Sequence, residues 1–182
     1  MWNGGHGLNI QCSGFRVIGG SYISNSLKTP GTYCGIYVPL SSTRFTITDC
    51  TCAPIANFAN SQRYGILAEG SPDSFRIINC DCSGNVSGNL SVPNSSKGKV
   101  SDCFGYNPIG AITPPPFPSN GTTITNVYNV RCEVFVSGGT ITTFAKNLIT
   151  IPGKTGGTTT LEPGESLTFY YTGSPTWYWN GF

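Results

Sequence analysis

Charged residues are scarce in this sequence. They make up 10% of the 182 residues, well below the ~25% of an average soluble domain. The formal net charge is only +2, and the lysines and arginines form no run along the chain, so no nucleic-acid partner is predicted. No apolar stretch of roughly 18 residues is present, and no membrane insertion is predicted. Residues 1–6 lack the basic and apolar regions of a secretory signal.

Metal-ligating patterns are equally scarce. The chain has one histidine, and the closest cysteine pairs have Cys-x-Cys rather than Cys-x-x-Cys spacing, so neither a metal site nor a cofactor is predicted. Glycine (24), proline (13) and small polar residues are abundant instead, and 38% of the residues are hydrophobic. This composition predicts an all-β, turn-rich fold with a real core.

A segment of about thirty residues recurs along the first part of the chain. The stretch that begins at Cys34 matches the stretch that begins at Tyr64, and earlier and later copies are partial. Each copy has apolar residues at every second position, as in Phe45 and Ile47, which places them on one face of a strand. Because Cys50 has the opposite parity, the chain must bend at position 49.

Residues that tolerate a left-handed backbone occupy this bend in every copy. They are Gly19, Asp49, Asn79 and Asp102. Two strands that meet at such a bend and recur every thirty residues are typical of a right-handed parallel β-helix. The sequence therefore predicts the last coils of such a helix over residues 1–110, with three coils and a fragment.

The eight cysteines follow the same repeat. Cys50, Cys80 and Cys103 share one repeat position, and Cys52 and Cys82 share another. We expect them to form an inward-facing ladder of free thiols, as small buried cysteines often do. An extracellular disulfide framework is the alternative. Free thiols imply assembly in a reducing compartment such as the bacterial cytoplasm.

A second region follows a proline-rich segment. Residues 111–120 are too rich in proline for a helix or a central strand and are interpreted as an extended connector. Residues 121–182 contain short alternating runs between glycine turns, which predict antiparallel hairpins and a small β-sandwich. Such a small domain buries little surface alone, so we expect an oligomer.

The C-terminal motifs resemble a known family. Residues 161–169 (LEPGESLTF) and 175–179 (PTWYW) look like the closing segment of many bacteriophage tailspike and tail-fibre proteins. Residues 126–140 are similar to that segment's earlier strands, and the predicted coils are similar to the pectate-lyase-like trunk of such spikes. The resemblance implies a homotrimeric, receptor-binding virion protein of the tail tip. Family members also carry a virion-attachment head and many more coils.

Three functions remain open at this point. The preferred hypothesis is a non-catalytic module for trimerisation and attachment to a bacterial surface polysaccharide. The alternatives are part of a β-helix depolymerase, either hydrolase or lyase, and a purely structural trimer cap. No catalytic residue is predicted. Glu69 and Asp73, which flank residues 70–72, are the best candidates for acid/base chemistry, but a solvated turn explains them equally well.

Aromatic side chains are the candidates for binding, since flat rings beside hydrogen-bonding groups suit carbohydrates. By parity, Trp177 and Trp179 share one side of a strand and Tyr178 takes the other. The residues proposed for carbohydrate binding are Tyr106, Tyr128, Tyr170, Tyr171, Tyr178 and Trp179. Those proposed for the core or the trimer interface are Phe135, Phe144, Phe169, Trp177 and Phe182. Arg44 and Arg76 flank equivalent phenylalanines on opposite sides, so no common face is assumed for them.

Overall fold

A computed structural model describes residues 4–55, 61–70, 72–93, 95–106, 110–152 and 156–182. Within these ranges the chain forms sixteen strands and no helix, which confirms the all-β prediction. The chain divides into two compact units, Met1–Tyr106 and Asn107–Phe182. No helix long and apolar enough to cross a membrane occurs in the described part of the chain.

The first unit consists of two parallel sheets of four strands each. Its strands are β1 (Leu8–Asn9), β2 (Phe15–Ile18), β3 (Ile36–Val38), β4 (Arg44–Thr48), β5 (Tyr64–Ala68), β6 (Ser74–Ile78), β7 (Gly88–Ser91) and β8 (Gly98–Ser101). The odd-numbered strands form one sheet and the even-numbered strands form the other, each in chain order. The chain therefore alternates between the two sheets, and each strand lies beside its counterpart in the next repeat.

The strand register follows the thirty-residue repeat. Phe15 lies beside Phe45, and Phe45 beside Phe75, with ring centroids 5.3 and 5.4 Å apart. Two residues further along the same strands, Ile47 and Ile77 are completely buried. Because side chains alternate between the two faces of a strand, these columns form the core and the residues between them face outward.

The bends between the paired strands adopt the left-handed conformation. Gly19, Asp49, Asn79 and Asp102 have φ values of 69°, 58°, 52° and 56°. Stacked bends also bond to one another, since Asn79 Nδ2 donates to Asp49 Oδ1 at 2.7 Å. The reversal of side-chain parity at the bend places Cys50 and Cys80 in the same core as the phenylalanines.

A buried amide network lies inside the first unit. The Gln62 side chain is completely buried. Its Oε1 accepts from Asn25 N (3.2 Å) and Asn25 Nδ2 (2.8 Å), and its Nε2 donates to Cys52 O (2.7 Å) and Asn85 Oδ1 (2.8 Å). All four hydrogen-bonding positions of this amide are therefore used, as burial requires.

The second unit is built from antiparallel strands. They are β9 (Gly110–Ile112), β10 (Thr123–Thr125), β11 (Cys132–Ser137), β12 (Thr140–Lys146), β13 (Ile149–Thr150), β14 (Gly157–Leu161), β15 (Ser166–Thr172) and β16 (Thr176–Gly181). One sheet has the order β10-β15-β12-β13 and the other β14-β11-β16. Strand β9 lies beside β16. Rings from both sheets contact each other, with the Phe169 and Trp177 centroids 6.0 Å apart.

The proline-rich segment, interpreted from the sequence as an extended connector, belongs to the second unit and packs on its core. The Phe117 ring stacks on Phe169 with centroids 5.5 Å apart and contacts Trp177 at 4.8 Å. Trp177 Nε1 donates to Pro115 O at 2.9 Å. Proline lacks a backbone donor but keeps its carbonyl acceptor. The Pro115 carbonyl therefore accepts the hydrogen bond that the buried Trp177 indole needs.

Candidate functional site

An exposed aromatic pair lies on the outer face of the sheet β14-β11-β16. Phe135 of β11 pairs with Tyr178 of β16 on one side and with Thr158 of β14 on the other. Tyr178 is 67% exposed and Phe135 is 36% exposed. We call Phe135 and Tyr178, together with their polar neighbours Glu133, Thr160 and Asn180, the aromatic platform.

Polar side chains flank the two rings on the same face. Glu133 of β11 pairs with Asn180 of β16 and with Thr160 of β14. These residues have the same strand parity as Phe135 and Tyr178, so they project from the same side. A carboxylate, an amide and a hydroxyl therefore lie two residues along the strands from the rings.

One end of the platform carries a cation held against a ring. The Arg131 guanidinium lies over the exposed Phe182 ring, 5.5 Å from its centroid, and Arg131 Nε donates to Glu162 Oε1 at 2.7 Å. The pair is largely exposed, so it contributes little to stability. Its effect is to place a third aromatic ring at the end of the same face.

Rigid packing beneath the platform fixes its geometry. Val134 of β11 and Trp179 of β16 pair on the inner face, and Trp179 packs edge-on against Trp177 with centroids 5.3 Å apart. A well-packed inner face fixes the strand backbone from which Phe135 and Tyr178 project. Flat rings with adjacent hydrogen-bonding groups are the arrangement that binds the apolar face and the hydroxyls of a sugar.

Only some of the residues proposed for carbohydrate binding are available. Trp179 is 1% exposed, so its assignment is wrong: it has the parity of Trp177, and both face the core. The Tyr171 hydroxyl donates to Pro118 O, and the Tyr128 hydroxyl donates to Thr113 O; both rings are half-buried. Tyr106 is half-buried against the core of the first unit.

Tyr170 is the second exposed tyrosine of the second unit. It is 50% exposed and belongs to β15, in the other sheet. Its edge contacts the turn at Gly121, where an added Cβ would lie 3.0 Å from Tyr170 Cε1. Tyr170 therefore stands apart from the aromatic platform and offers a natural control for it.

Three of the five side chains proposed for the core or the trimer interface are internal to one chain. Phe144, Phe169 and Trp177 are buried and contact one another or Phe117. They therefore cannot also contact a partner chain. The second unit has a core of its own because both sheets and the proline-rich segment contribute rings to it. Phe135 and the exposed Phe182 remain free for a partner or a ligand.

All eight cysteines are free thiols. Cys50, Cys52, Cys80 and Cys82 are buried and Cys103 is half-buried, whereas Cys12 is exposed. The hydrogen bond with Cys80 and burial raise the pKa of the Cys50 and Cys103 thiols. A hydrogen bond with Cys52 and burial likewise raise the pKa of Cys82. Neutral thiols are poor nucleophiles, so Cys50, Cys82 and Cys103 have a packing role.

Glu69 belongs to a polar cluster and is not merely a residue of a solvated turn. Its Oε2 accepts a hydrogen bond from the Tyr37 hydroxyl at 2.7 Å, which raises the pKa of Tyr37. The Tyr37 ring stacks on His6 with centroids 4.5 Å apart, and burial lowers the pKa of His6. Asp73 is exposed before β6 and takes no part in these contacts. Asp73 therefore shares none of the contacts described for Glu69.

No group of three or more His, Cys, Asp or Glu side chains converges on a metal-sized site among the described residues. Comparisons with known proteins add no assignment: no protein-family model matches the chain, and no significant match was found among curated proteins or solved structures.

One cluster escaped the sequence analysis. Arg16, Arg44 and Arg76 line a common surface groove, although they are far apart along the chain. The alternation of inward and outward residues predicts this cluster. Arg44 precedes Phe45 and Arg76 follows Phe75, and both neighbours of an inward-facing residue point outward. The two arginines therefore do share a face.

Proposed function

We propose that this chain is the C-terminal part of a bacteriophage tailspike or tail-fibre protein and that it attaches to a bacterial surface glycan through the aromatic platform. The observation that carries the proposal is the exposed Phe135 and Tyr178 pair, flanked by Glu133 and Asn180 on a rigid sheet. Isolated exposed apolar residues need no explanation, but paired rings beside polar groups are typical of binding surfaces.

The strand arrangement supports this assignment. Two parallel sheets that alternate along the chain at a thirty-residue shift are what the end of a right-handed parallel β-helix requires. Two antiparallel sheets with rings in contact fit a small terminal β-sandwich. Eight free thiols fit a virion protein that is assembled in the host cytoplasm.

A homotrimer is part of the proposal, and its contact is placed at the β12-β13 turn. Leu148 is 78% exposed and Ile149 is 72% exposed, and β13 is an edge strand of its sheet. An open edge with apolar side chains promotes association unless it is covered. A closed three-fold assembly covers it and leaves the aromatic platform free. Three copies then multiply a weak glycan contact through avidity.

Light scattering tests the assembly. The full chain should have about three times the mass of one chain, and Leu148→Asp combined with Ile149→Asp should give folded monomers, because a buried apolar contact cannot accept two carboxylates. Tyr178→Ala should leave the mass unchanged. A wild-type monomer would contradict the trimer.

The glycan test uses an array of bacterial surface polysaccharides and the full chain. Wild type should bind at least one polysaccharide. Tyr178→Ala should weaken that binding about tenfold, ~1.4 kcal/mol, because a central aromatic contact dominates such sites. Tyr170→Ala is the matched control and should bind like wild type. Absence of binding to every polysaccharide, or equal binding by Tyr178→Ala, would contradict attachment through the platform.

The depolymerase alternative is tested on the same polysaccharides. Glu69→Gln and Asp73→Ala should leave glycan binding unchanged, since neither residue belongs to the aromatic platform. A reducing-sugar assay should detect no cleavage by the wild-type chain. Cleavage that disappears in Glu69→Gln, with folding preserved, would favour the depolymerase.

A further inference from the structure

The first unit carries a basic surface on the outer face of the sheet β2-β4-β6-β8. Arg16, Arg44 and Arg76 are exposed there, and together with Thr46 and Ser74 they line a groove of about 170 Å³. We call Arg16, Arg44, Arg76, Thr46 and Ser74 the arginine face. It lies in a different unit from the aromatic platform, and it presents cationic groups where the platform presents aromatic rings.

The strand register sets the spacing of the arginine face. Arg16 of β2 and Arg76 of β6 both align with Thr46 of β4. Since neighbouring strands lie ~4.8 Å apart, the Cα atoms of Arg16 and Arg76 are about 9.6 Å apart. Arg44 lies two residues before Thr46 on the same strand, a displacement of ~6.6 Å. The three arginines thus form a triangle, with Thr46 between Arg16 and Arg76 and with Ser74 beside Arg44.

The positive charge of this face is not neutralised within the described residues. None of Arg16, Arg44 and Arg76 forms an ion pair with a described carboxylate. The whole chain has ten lysines and arginines and a net charge of +2. Three arginines on the outer face of one sheet are therefore a local concentration of positive charge that the net charge of the whole chain conceals.

The backbone beneath the arginines is held in place by the core. Phe15, Phe45 and Phe75 alternate with the arginines and stack inward. A planar guanidinium fork binds a carboxylate through two parallel hydrogen bonds. The side chains of Thr46 and Ser74 supply neutral hydroxyls, which can donate to or accept from sugar hydroxyls.

We propose that the arginine face binds an acidic polysaccharide by pairing its guanidinium groups with carboxylates that recur along the polymer. The spacing favours this ligand over nucleic acid, because arginines about 9.6 Å apart can pair with the carboxylates of alternate sugars in a polyuronate, whereas each strand of a duplex carries a phosphate every ~3.4 Å along the helix axis. The groove-lining phenylalanines face the core, so bases find no stacking partner there. The site goes beyond the proposed attachment through the aromatic platform and does not depend on it.

Calorimetry with alginate oligosaccharides tests the site on the full chain. Carboxyl-reduced alginate of the same length is the matched ligand control. Wild type should bind alginate but not the reduced form, and binding should weaken steeply as salt rises from about 0.05 to 0.3 M, because exposed charges are screened. Arg16→Gln, Arg44→Gln and Arg76→Gln should each weaken binding about two- to fivefold, and the triple variant should abolish it.

Lys28→Gln is the matched protein control, since it removes an exposed cation of the same unit that does not line the groove. It should bind alginate like wild type. Tyr178→Ala should also bind alginate normally, which separates this site from the aromatic platform. Failure of alginate to bind, equal binding of reduced alginate, wild-type affinity in the triple variant, or tighter binding of duplex DNA would each overturn the proposal.

Discussion

Gly98 provides a sharp test of how the first unit packs. It begins β8 and lies beside Phe75 of β6. A Cβ added to Gly98 would lie 2.2 Å from Phe75 Cε1 and 2.3 Å from Cζ. The Phe75 ring is 1% exposed and stacks on Phe45, so it has little room to move. Gly98 does not have a positive φ, so Gly98→Ala tests steric contact without backbone strain.

The size of the effect follows from the overlap. Carbon atoms in contact are ~3.5–4.0 Å apart, so the new methyl group would overlap the ring by more than about 1 Å. Overpacking of this kind costs about 1–3 kcal/mol. Because the ring is held by the stack on its other face, we expect a loss near ~3 kcal/mol in the free energy of unfolding.

Urea denaturation of a double-mutant cycle measures this loss. Phe75→Leu alone should cost about 1.5 kcal/mol. Combined with Gly98→Ala it should cost less than the sum of the two, by about 1–2 kcal/mol, because leucine leaves space for the new methyl group. Gly4→Ala is the matched control: its Cβ would meet only the flexible Lys28 side chain, and the change should stay within about 0.5 kcal/mol.

Two results would refute this reasoning. A loss below about 0.5 kcal/mol for Gly98→Ala would mean that the Phe75 ring does not occupy the space above Gly98. Strict additivity in the cycle would mean that the two residues do not touch. Either result would remove the stacked phenylalanine column as the reason for glycine at this position.

Three further predictions concern the buried Gln62 amide, the thiols and the Glu165 carboxylate. Gln62→Leu should lower the free energy of unfolding by about 2–4 kcal/mol in urea, since it removes the Gln62 oxygen that accepts from Asn25 N and Nδ2 and the Gln62 amide that donates to Asn85 Oδ1; a neutral effect would contradict the network. A thiol reagent should label Cys12 rapidly in the native protein and all eight cysteines in denaturant; fewer than eight would indicate disulfides. Burial opposes ionisation of Glu165, but hydrogen bonds from Lys146, Glu162 N and Asn147 hold its pKa below the ordinary value of 4.5. The unfolded state therefore takes up a proton first as pH falls. Thermal stability should decline below that value until the folded pKa is passed, and Glu165→Gln should flatten this dependence; an equal decline in the variant would assign the effect to another group.

Local patterns in the sequence predict much of the first unit. The alternation in Phe45 and Ile47 assigns one face of a strand, and the reversed parity of Cys50 requires a bend. Asp49 and Asn79 permit the left-handed backbone that the bend adopts. These inferences succeed because strand parity and bend conformation depend on a few neighbouring residues.

The binding surfaces depend on contacts that sequence neighbours do not encode. Parity pairs Trp177 with Trp179, but only the opposing sheet and Phe117 decide that this pair faces inward and that Tyr178 faces solvent. The sequence left open whether the aromatic set belongs to the core or to a trimer interface, because the contribution of the proline-rich segment to the core is not local.

The sequence by itself determined an all-β chain, a thirty-residue repeat and the alternation of inward and outward residues, because each is set by backbone geometry over a few positions. Only the tertiary structure decided which outward residues become neighbours. Arg16 and Arg76 are sixty positions apart in the sequence and two strands apart in the sheet. Phe135 and Tyr178 meet through antiparallel pairing. Binding surfaces form from such long-range register, which depends on how the whole core packs.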